Sequence, residues 1–406
     1  MKKISIIGGG IVGQFIAYYL SKAGHQVTVI DDAPAMPPAS AGNCGLISPS
    51  HILPLNTWGT LIKGLKWMGQ KDAPLAIKPQ LSTSFATWFA SYIWHCRQSE
   101  VEKSIGARHL LLQLSWRLYE EILATESLDC DWQKGGLIYG CRTQEGISAM
   151  NEEVQLLQKH GLAARSLTQD ELHAQEPLFQ PDVIGGAIFE CDGWLMPGKL
   201  LENLTALNKQ NGVQMITARA SRFKHTNGRI DAIQLESDEH TAEEYILAAG
   251  AQSVFLARPL GIDLKLIPGK GYNLTVHSPL LKQPTIPVYM VERKVVATPW
   301  TGGFRLGSTM EFTGYDLSLS THRLEALKRA AGEYLQIDIS NVDFTPWAGW
   351  RPMTSNGLPV IGRAPKYQNL ILATGHGMLG LSMAPATGHL VADILGKGSP
   401  EVLRVA

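Results

Sequence analysis

Four groups of residues in this chain carry chemistry by their type and spacing. The first is Gly8-Gly9-Gly10-Ile11-Val12-Gly13, with Gly8, Gly10 and Gly13 in GxGxxG spacing. Such glycines permit a tight turn at Gly8, approach of backbone to a pyrophosphate at Gly10, and close helix packing at Gly13. Asp31, with Asp32 beside it, follows Gly13 by 18 residues and offers a carboxylate to a ribose diol. The second is Arg351, in Trp347-Ala348-Gly349-Trp350-Arg351-Pro352. A guanidinium held between aromatic rings and a proline can grip a carboxylate through two parallel hydrogen bonds. It can equally stack on Trp350 or pair with a surface acid. The third is the glycine turn Thr374-Gly375-His376-Gly377-Met378-Leu379-Gly380, whose histidine is a candidate acid or base. The fourth is Tyr272, either a pocket hydroxyl or a core tyrosine.

Positioning these groups requires strands that end at the glycines and helices that begin there. Lys3 to Ile7 is a short β-branched run suited to a buried parallel strand. An apolar helical stretch runs from Ile11 to Ala23 and stops at Gly24, and a second strand spans Gln26 to Ile30. Strand, glycine turn, helix, strand and acid together predict a dinucleotide site, NAD or FAD. The small-residue loop Ser40-Ala41-Gly42-Asn43-Cys44-Gly45-Leu46 lets backbone lie against a ring system or pyrophosphate, or is an ordinary surface loop. A strand from Glu244 runs into Ala249-Gly250. Another, Leu370 to Ala373, leads through the TGHG turn to a helix from Ser382 to Leu395, presenting a second set of free N–H groups.

With these segments in view, the chain resembles the FAD-dependent D-amino acid dehydrogenase family of the D-amino acid oxidase superfamily. The matching residues are the GGGIVG turn, SAGNCGLISP, LKWMGQKDAPLAIKP at 65–79, LAAGAQS at 247–253, PGKGYNLTV at 268–276, WAGWRPMTSNGLPVIGR at 347–363 and TGHGMLGLSM at 374–383. Departures fall at His51-Ile52-Leu53-Pro54 and at Tyr289 to Arg293. The resemblance implies noncovalent FAD, held by Gly8, Gly10, Gly13, Asp31, Asp32, Ser40, Asn43, Gly45, Leu46, Ala249, Gly250, Gly349, Gly375, His376, Gly377, Met378 and Leu379, with the adenine against Ala220. It implies Arg351 as the carboxylate clamp, Tyr272 as a second carboxylate contact, and Tyr289 and His51 as pocket residues. His376 is expected as a wall or flavin contact, because a neutral substrate amine can assist hydride departure without a protein base.

The expected architecture is α/β: a Rossmann-like FAD-binding domain interleaved with an α+β substrate domain whose sheet is mostly antiparallel. The first takes residues 1–50, 194–265 and 346–406; the second takes 51–193 and 266–345. Helices are predicted near 84–98, 101–126, 146–160 and 197–210, and strands near 136–140, 186–190, 270–276, 287–298 and 303–309. Asn227-Gly228 predicts a hairpin between strands near 219–225 and 229–236.

The chain has 406 residues, 45% hydrophobic and 18% charged, which suits a packed core rather than disorder. Lys plus Arg and Asp plus Glu are both 36, so net charge is zero and no electrostatic case exists for nucleic acid. Five scattered cysteines without a CxxC pair suggest neither a disulfide framework nor a metal site. A cytoplasmic protein is expected. Trp58, Trp67, Trp88 and Trp94 lie among Lys63, Lys66, Lys71 and Lys78. The stretch 58–78 is either a lid over the active site or a peripheral contact with the inner face of the cell membrane. The leading expectation is oxidative deamination of a D-amino acid to a 2-oxo acid and ammonia, electrons passing to a quinone or other respiratory acceptor. Dehydrogenation of D-proline or a hydroxy-D-proline, and oxygen-using oxidation, are the enzymatic alternatives. An NAD-dependent dehydrogenase or a non-redox binding protein would leave the TGHGMLG segment unexplained.

Overall fold

Parallel pairing of Lys3–Ile7 with both Gln26–Asp31 and Glu244–Leu247 creates the centre of a six-stranded sheet. Its order is Gln214–Thr217, Gln26–Asp31, Lys3–Ile7, Glu244–Leu247, Leu370–Thr374 and Val360–Arg363, parallel except for the last strand. The computed structural model describes residues 1–32, 37–67, 75–77, 82–278, 281–339 and 342–396. The chain winds from Lys3–Ile7 to one side first and to the other later. A crevice therefore opens at the carboxyl ends of Lys3–Ile7 and Glu244–Leu247, where open α/β sheets bind ligands.

Helix Ile11–Lys22 covers one face and packs against helix Gly380–Gly396. Residues 377–396 are long and apolar enough to cross a membrane, yet 67% of their apolar window is buried. They are a core helix, also packed on the 28-residue helix Gln98–Thr125. On the other face a three-stranded antiparallel sheet turns at Asn227-Gly228, both at positive φ (48° and 74°), as a tight hairpin demands.

The second sheet has nine strands, ordered Thr345–Thr354, Leu266–His277, Gly303–Phe312, Val295–Trp300, Val288–Met290, Leu137–Cys141, Gly185–Phe189 and Arg165–Thr168, with Leu75–Ile77 beside Gly303–Phe312. All pairings are antiparallel except Val288–Met290 with Leu137–Cys141 and Leu75–Ile77 with Gly303–Phe312. Helix Thr321–Tyr334 seals one face, setting Leu327, Ala330 and Ala331 in the same apolar cluster as Leu274, Val276 and Leu306.

One expected strand is divided, and one segment pairs far from its neighbours in sequence. The strand expected across 287–298 is broken into Val288–Met290 and Val295–Trp300, because the chain reverses through Lys294 at φ 55°. Residues 346–354, placed by sequence with the dinucleotide domain, belong to strand Thr345–Thr354, which hydrogen-bonds along its whole length to Leu266–His277. That pairing carries Arg351 into the second sheet.

Candidate active site

A cavity of about 1230 Å³ is lined from one side by the turns after the parallel strands and from the other by the nine-stranded sheet. On the first side, Gly8 has φ 111°, and a Cβ there would lie 2.4 Å from the carbonyl oxygen of Ala248. A Cβ on Gly13 would lie 1.9 Å from the Gly8 carbonyl oxygen, so only glycine lets the helix start this close to the strand. Ser40 accepts a hydrogen bond from the Ile11 N–H at 2.8 Å. Asp31 sits at the strand end against Gly9, whose N–H it accepts. Burial, with Asp32 beside it, pushes its pKa up to about 6.

Of the expected cofactor residues, Gly8, Gly10, Asp31, Asp32, Ser40, Asn43, Leu46, Ala249, Gly250, Gly349, Gly375, His376, Gly377, Met378 and Leu379 line this cavity. Gly13, Gly45 and Ala220 do not. Gly13 acts through packing. Gly45, at φ 76°, lets its turn abut the carbonyl of Leu195. Ala220 lies beyond the outermost parallel strand, among the residues packed on Phe223 and Ile233. The loop 39–45 is fixed from behind. Arg305 donates through Nη1 to the carbonyls of Ala41 and Asn43, and through Nε to Thr275 Oγ1. The Asn43 side chain bonds within its own turn, to Ser40 O and Gly45 N.

On the second side, Arg351 stands on the cavity wall. Its Nη1 donates to the carbonyl of Thr309 at 2.7 Å, and it has no acidic partner among the described residues. Burial lowers its pKa, opposed by Cys44 and Tyr289 nearby. The space it occupies exists because residue 271 is glycine: a Cβ there would lie 2.3 Å from Cζ and both Nη atoms. A half-buried guanidinium without a counter-charge among the described residues offers an anion in the cavity a ready partner.

Tyr272 is placed otherwise than expected. Its hydroxyl donates to Glu311 Oε2 at 2.7 Å, and Glu311 is bound in turn by Arg323 Nε at 2.8 Å. The ring reaches the cavity wall, but the hydroxyl is committed to this buried ionic group. The reason is strand alternation: Gly271 faces Arg351, so Tyr272 projects from the opposite face of the sheet. Tyr289 lines the cavity, and its hydroxyl makes no hydrogen bond to another described residue. His51 also lines it, its Nδ1 lying 3.2 Å from Ser50 Oγ. His376 is buried with Nε2 2.9 Å from Thr387 Oγ1, and burial pushes its pKa down to about 3. It is a neutral wall residue. Sequence reasoning passed over Glu153 and Lys294 on this wall, and Asp192 behind it; no motif spacing singles them out from their charged neighbours Glu152, Arg293 and Glu190.

Helix Trp58–Trp67 places Thr60, Leu61, Lys63 and Gly64 on the cavity, while Trp58 and Ile62 are each 51% exposed. Trp88 is buried, its indole N–H donating to Met353 O at 2.9 Å, and Trp94 is exposed beneath the Arg97 guanidinium. The side chain of Trp67, and residues Lys71 and Lys78, lie outside the described residues.

These residues fit a flavin dinucleotide. The glycine cradle is open to backbone approach. Three buried polar atoms on residues of the wall, Asn56 Oδ1, Thr309 Oγ1 and Trp350 Nε1, have no hydrogen-bond partner. The volume exceeds the roughly 300–1,000 Å³ of an ordinary small-ligand pocket, leaving room for a second, smaller molecule.

Comparison with known proteins agrees. Residues 3–394 match the family model described as FAD dependent oxidoreductase. The D-amino acid dehydrogenase of Methylobacterium sp. (strain 4-46) is 31% identical over 98% of this chain and 96% of its own length. Among solved structures, glycine oxidase from Geobacillus kaustophilus superposes with a TM-score of 0.77 at 20% identity, covering 98% of this chain and 96% of that one. L-proline dehydrogenase from P. horikoshii gives 0.75 at 18% identity, covering 99% and 95%. The two structures share the fold.

Proposed function

The chain belongs to the FAD dependent oxidoreductase family, and from that premise we propose that it oxidises D-amino acids to 2-oxo acids and ammonia, delivering electrons to a quinone or another acceptor that is not oxygen. It is an FAD-dependent enzyme; the bound flavin supplies a two-electron acceptor for hydride leaving the substrate Cα. The observation that carries the substrate class is Arg351: half-buried, held by the Thr309 carbonyl, without an acidic partner among the described residues, and on the same cavity as the glycine turns. A substrate carboxylate supplies the missing counter-charge, and the guanidinium fork fixes the orientation of Cα. The turns at Gly8–Gly10 and Gly375–Gly377 hold FAD noncovalently through backbone N–H groups. Tyr289 directs a free hydroxyl at the substrate. Helix Trp58–Trp67 closes the cavity with one face and, through Trp58 and Ile62, rests on the inner face of the cell membrane with the other. That placement puts a cytoplasmic enzyme beside a membrane-borne electron acceptor.

The test is a dye-coupled screen of D- and L-amino acids, proline derivatives included, with oxygen uptake measured in the absence of dye. Turnover of D-amino acids with negligible oxygen uptake is expected. A preference for L-isomers, or oxygen uptake matching dye reduction, refutes the corresponding part.

A further inference from the structure

In neutral water an amino acid carries an ammonium, which has no lone pair to assist loss of hydride from Cα. His376 gives its Nε2 proton to Thr387 Oγ1, whose own proton goes to Met383 O, and burial pushes its pKa down to about 3. We infer that His51, held by Ser50 and Asp192, is the group that removes the substrate's ammonium proton, an inference that rests on the amino acid dehydrogenase reading above.

The geometry specifies the tautomer. Ser50 is bound twice by the Asp192 carboxylate: its N–H donates to Oδ1 at 3.0 Å and its hydroxyl to Oδ2 at 2.6 Å. A hydroxyl has one proton. With that proton given to Asp192, Ser50 Oγ can only accept from His51 Nδ1, 3.2 Å away. The ring proton therefore sits on Nδ1, and Nε2 carries the lone pair. Nε2 has no hydrogen-bond partner among the described residues, and the residue lines the cavity shared with Arg351. Arg108 fixes the backbone by donating to the His51 carbonyl at 3.2 and 2.7 Å.

In the step itself an N–H bond of the substrate breaks, leaving its electron pair on nitrogen, and an Nε2–H bond forms. Burial and the Arg108 guanidinium push the His51 pKa down to about 4, so the ring is neutral and ready to accept near neutrality and the imidazolium is a transient species; anionic Asp192, through Ser50, bears on it with the opposite sign. Were Asp192 protonated, the chain of donors would reverse: carboxyl to Ser50, Ser50 to Nδ1, and the proton on Nε2, which then could not accept. The charged and titratable groups facing the relay are Arg108 beside His51, and Cys191, Glu153 and Tyr139 around Asp192. Burial outweighs the Ser50 hydrogen bonds and raises the Asp192 pKa to about 7, so the competent arrangement forms as pH rises through neutrality.

The test is anaerobic single-turnover flavin reduction by the best D-amino acid, at saturating substrate, from about pH 6 to about pH 10. The holoenzymes compared are the parent, His51→Gln, Ser50→Ala, Ser50→Thr and Asp192→Asn. The parent's limiting rate should reach its plateau near neutrality. His51→Gln should be about 10²- to 10⁴-fold slower there, its rate climbing about tenfold per pH unit until the bound amine ionises unaided. Ser50→Ala and Asp192→Asn should lose the step near neutrality, and Ser50→Thr should regain it. Should His51→Gln fail to fold, Ser50→Ala decides. Variants slowed by one factor at every pH, with the plateau unmoved, would make these residues structural and overturn the relay. No flavin reduction by any amino acid in the parent would instead overturn the functional reading, and the relay with it.

Discussion

Replacing Arg351 by alanine removes a guanidinium that the structure holds ready on the cavity wall: Nη1 is fixed by the Thr309 carbonyl at 2.7 Å, and no acid among the described residues neutralises it. The free protein therefore loses one hydrogen bond, while the complex loses a bidentate, charge-assisted pair in a partly dry site. Loss of one partner of such a pair costs about 2–5 kcal/mol, or roughly 30- to 5,000-fold in kcat/KM. Arg351→Lys keeps charge without the planar fork and should fall between parent and alanine variant. An independent approach leaves Arg351 in place. Gly271→Ala sets a methyl 2.3 Å from Cζ, so the guanidinium must leave its seat, and kcat/KM should fall in the same direction. FAD content should be unchanged in all three, because the glycine turns at Gly8–Gly10 and Gly375–Gly377 are built from other segments. The assay is dye-coupled turnover of the best D-amino acid beside the matching amine without a carboxylate, with flavin quantified by absorbance. The amine should be a poor substrate for the parent and little altered in Arg351→Ala. Near-normal kcat/KM for the amino acid in Arg351→Ala refutes the clamp. Tyr272 and Arg305 are then poor replacements, since Glu311 and the 39–45 loop already hold their polar groups.

Gly10→Val directs a branched side chain toward Ser40 Oγ, 3.0 Å from the Cβ position, and into the cradle, so the protein should purify without flavin; full occupancy by absorbance would sink the cradle. Replacing Trp58 and Ile62 together by serine should reduce co-sedimentation with anionic liposomes while leaving FAD content and dye-coupled turnover intact, whereas equal sedimentation of both forms returns the helix to a lid alone. Asp192 has a native pKa of about 7 against about 3.9 unfolded. The folded state thus favours the neutral acid, and its contribution is lost as pH rises through that window. The stability of the parent relative to Asp192→Asn should fall between about pH 4 and 7 and level off above, by on the order of 2–4 kcal/mol at most; denaturant titration at several pH values measures it, and a constant difference contradicts the buried acid.

Much of the dinucleotide half was legible because its signals are local. Gly8 needs a positive φ, Gly13 must meet the Gly8 carbonyl closely, and Asp31 must end the second strand. Each demand falls on residues near in sequence, so glycine spacing and strand length alone specify it. Arg351 was singled out by type and flanking residues. Its setting was not legible: the seat at Gly271, the Thr309 carbonyl and the absence of an acid among the described residues come from strand pairing across some eighty residues of chain. Tyr272 shows the opposite outcome. Its identity suggested a pocket hydroxyl, but the two-residue period of its strand turns it away from Arg351 and toward Glu311. Strand Thr345–Thr354 joins the second sheet for the same reason, since backbone hydrogen bonding to a distant strand decides which sheet a segment joins. The Asp192–Ser50–His51 relay had no spacing to announce it, because its acid and hydroxyl are 142 residues apart. Chain order determined the cofactor cradle of this protein, whereas the contacts that settle protonation and charge at its second side arise only when strands remote in sequence are brought within hydrogen-bonding distance.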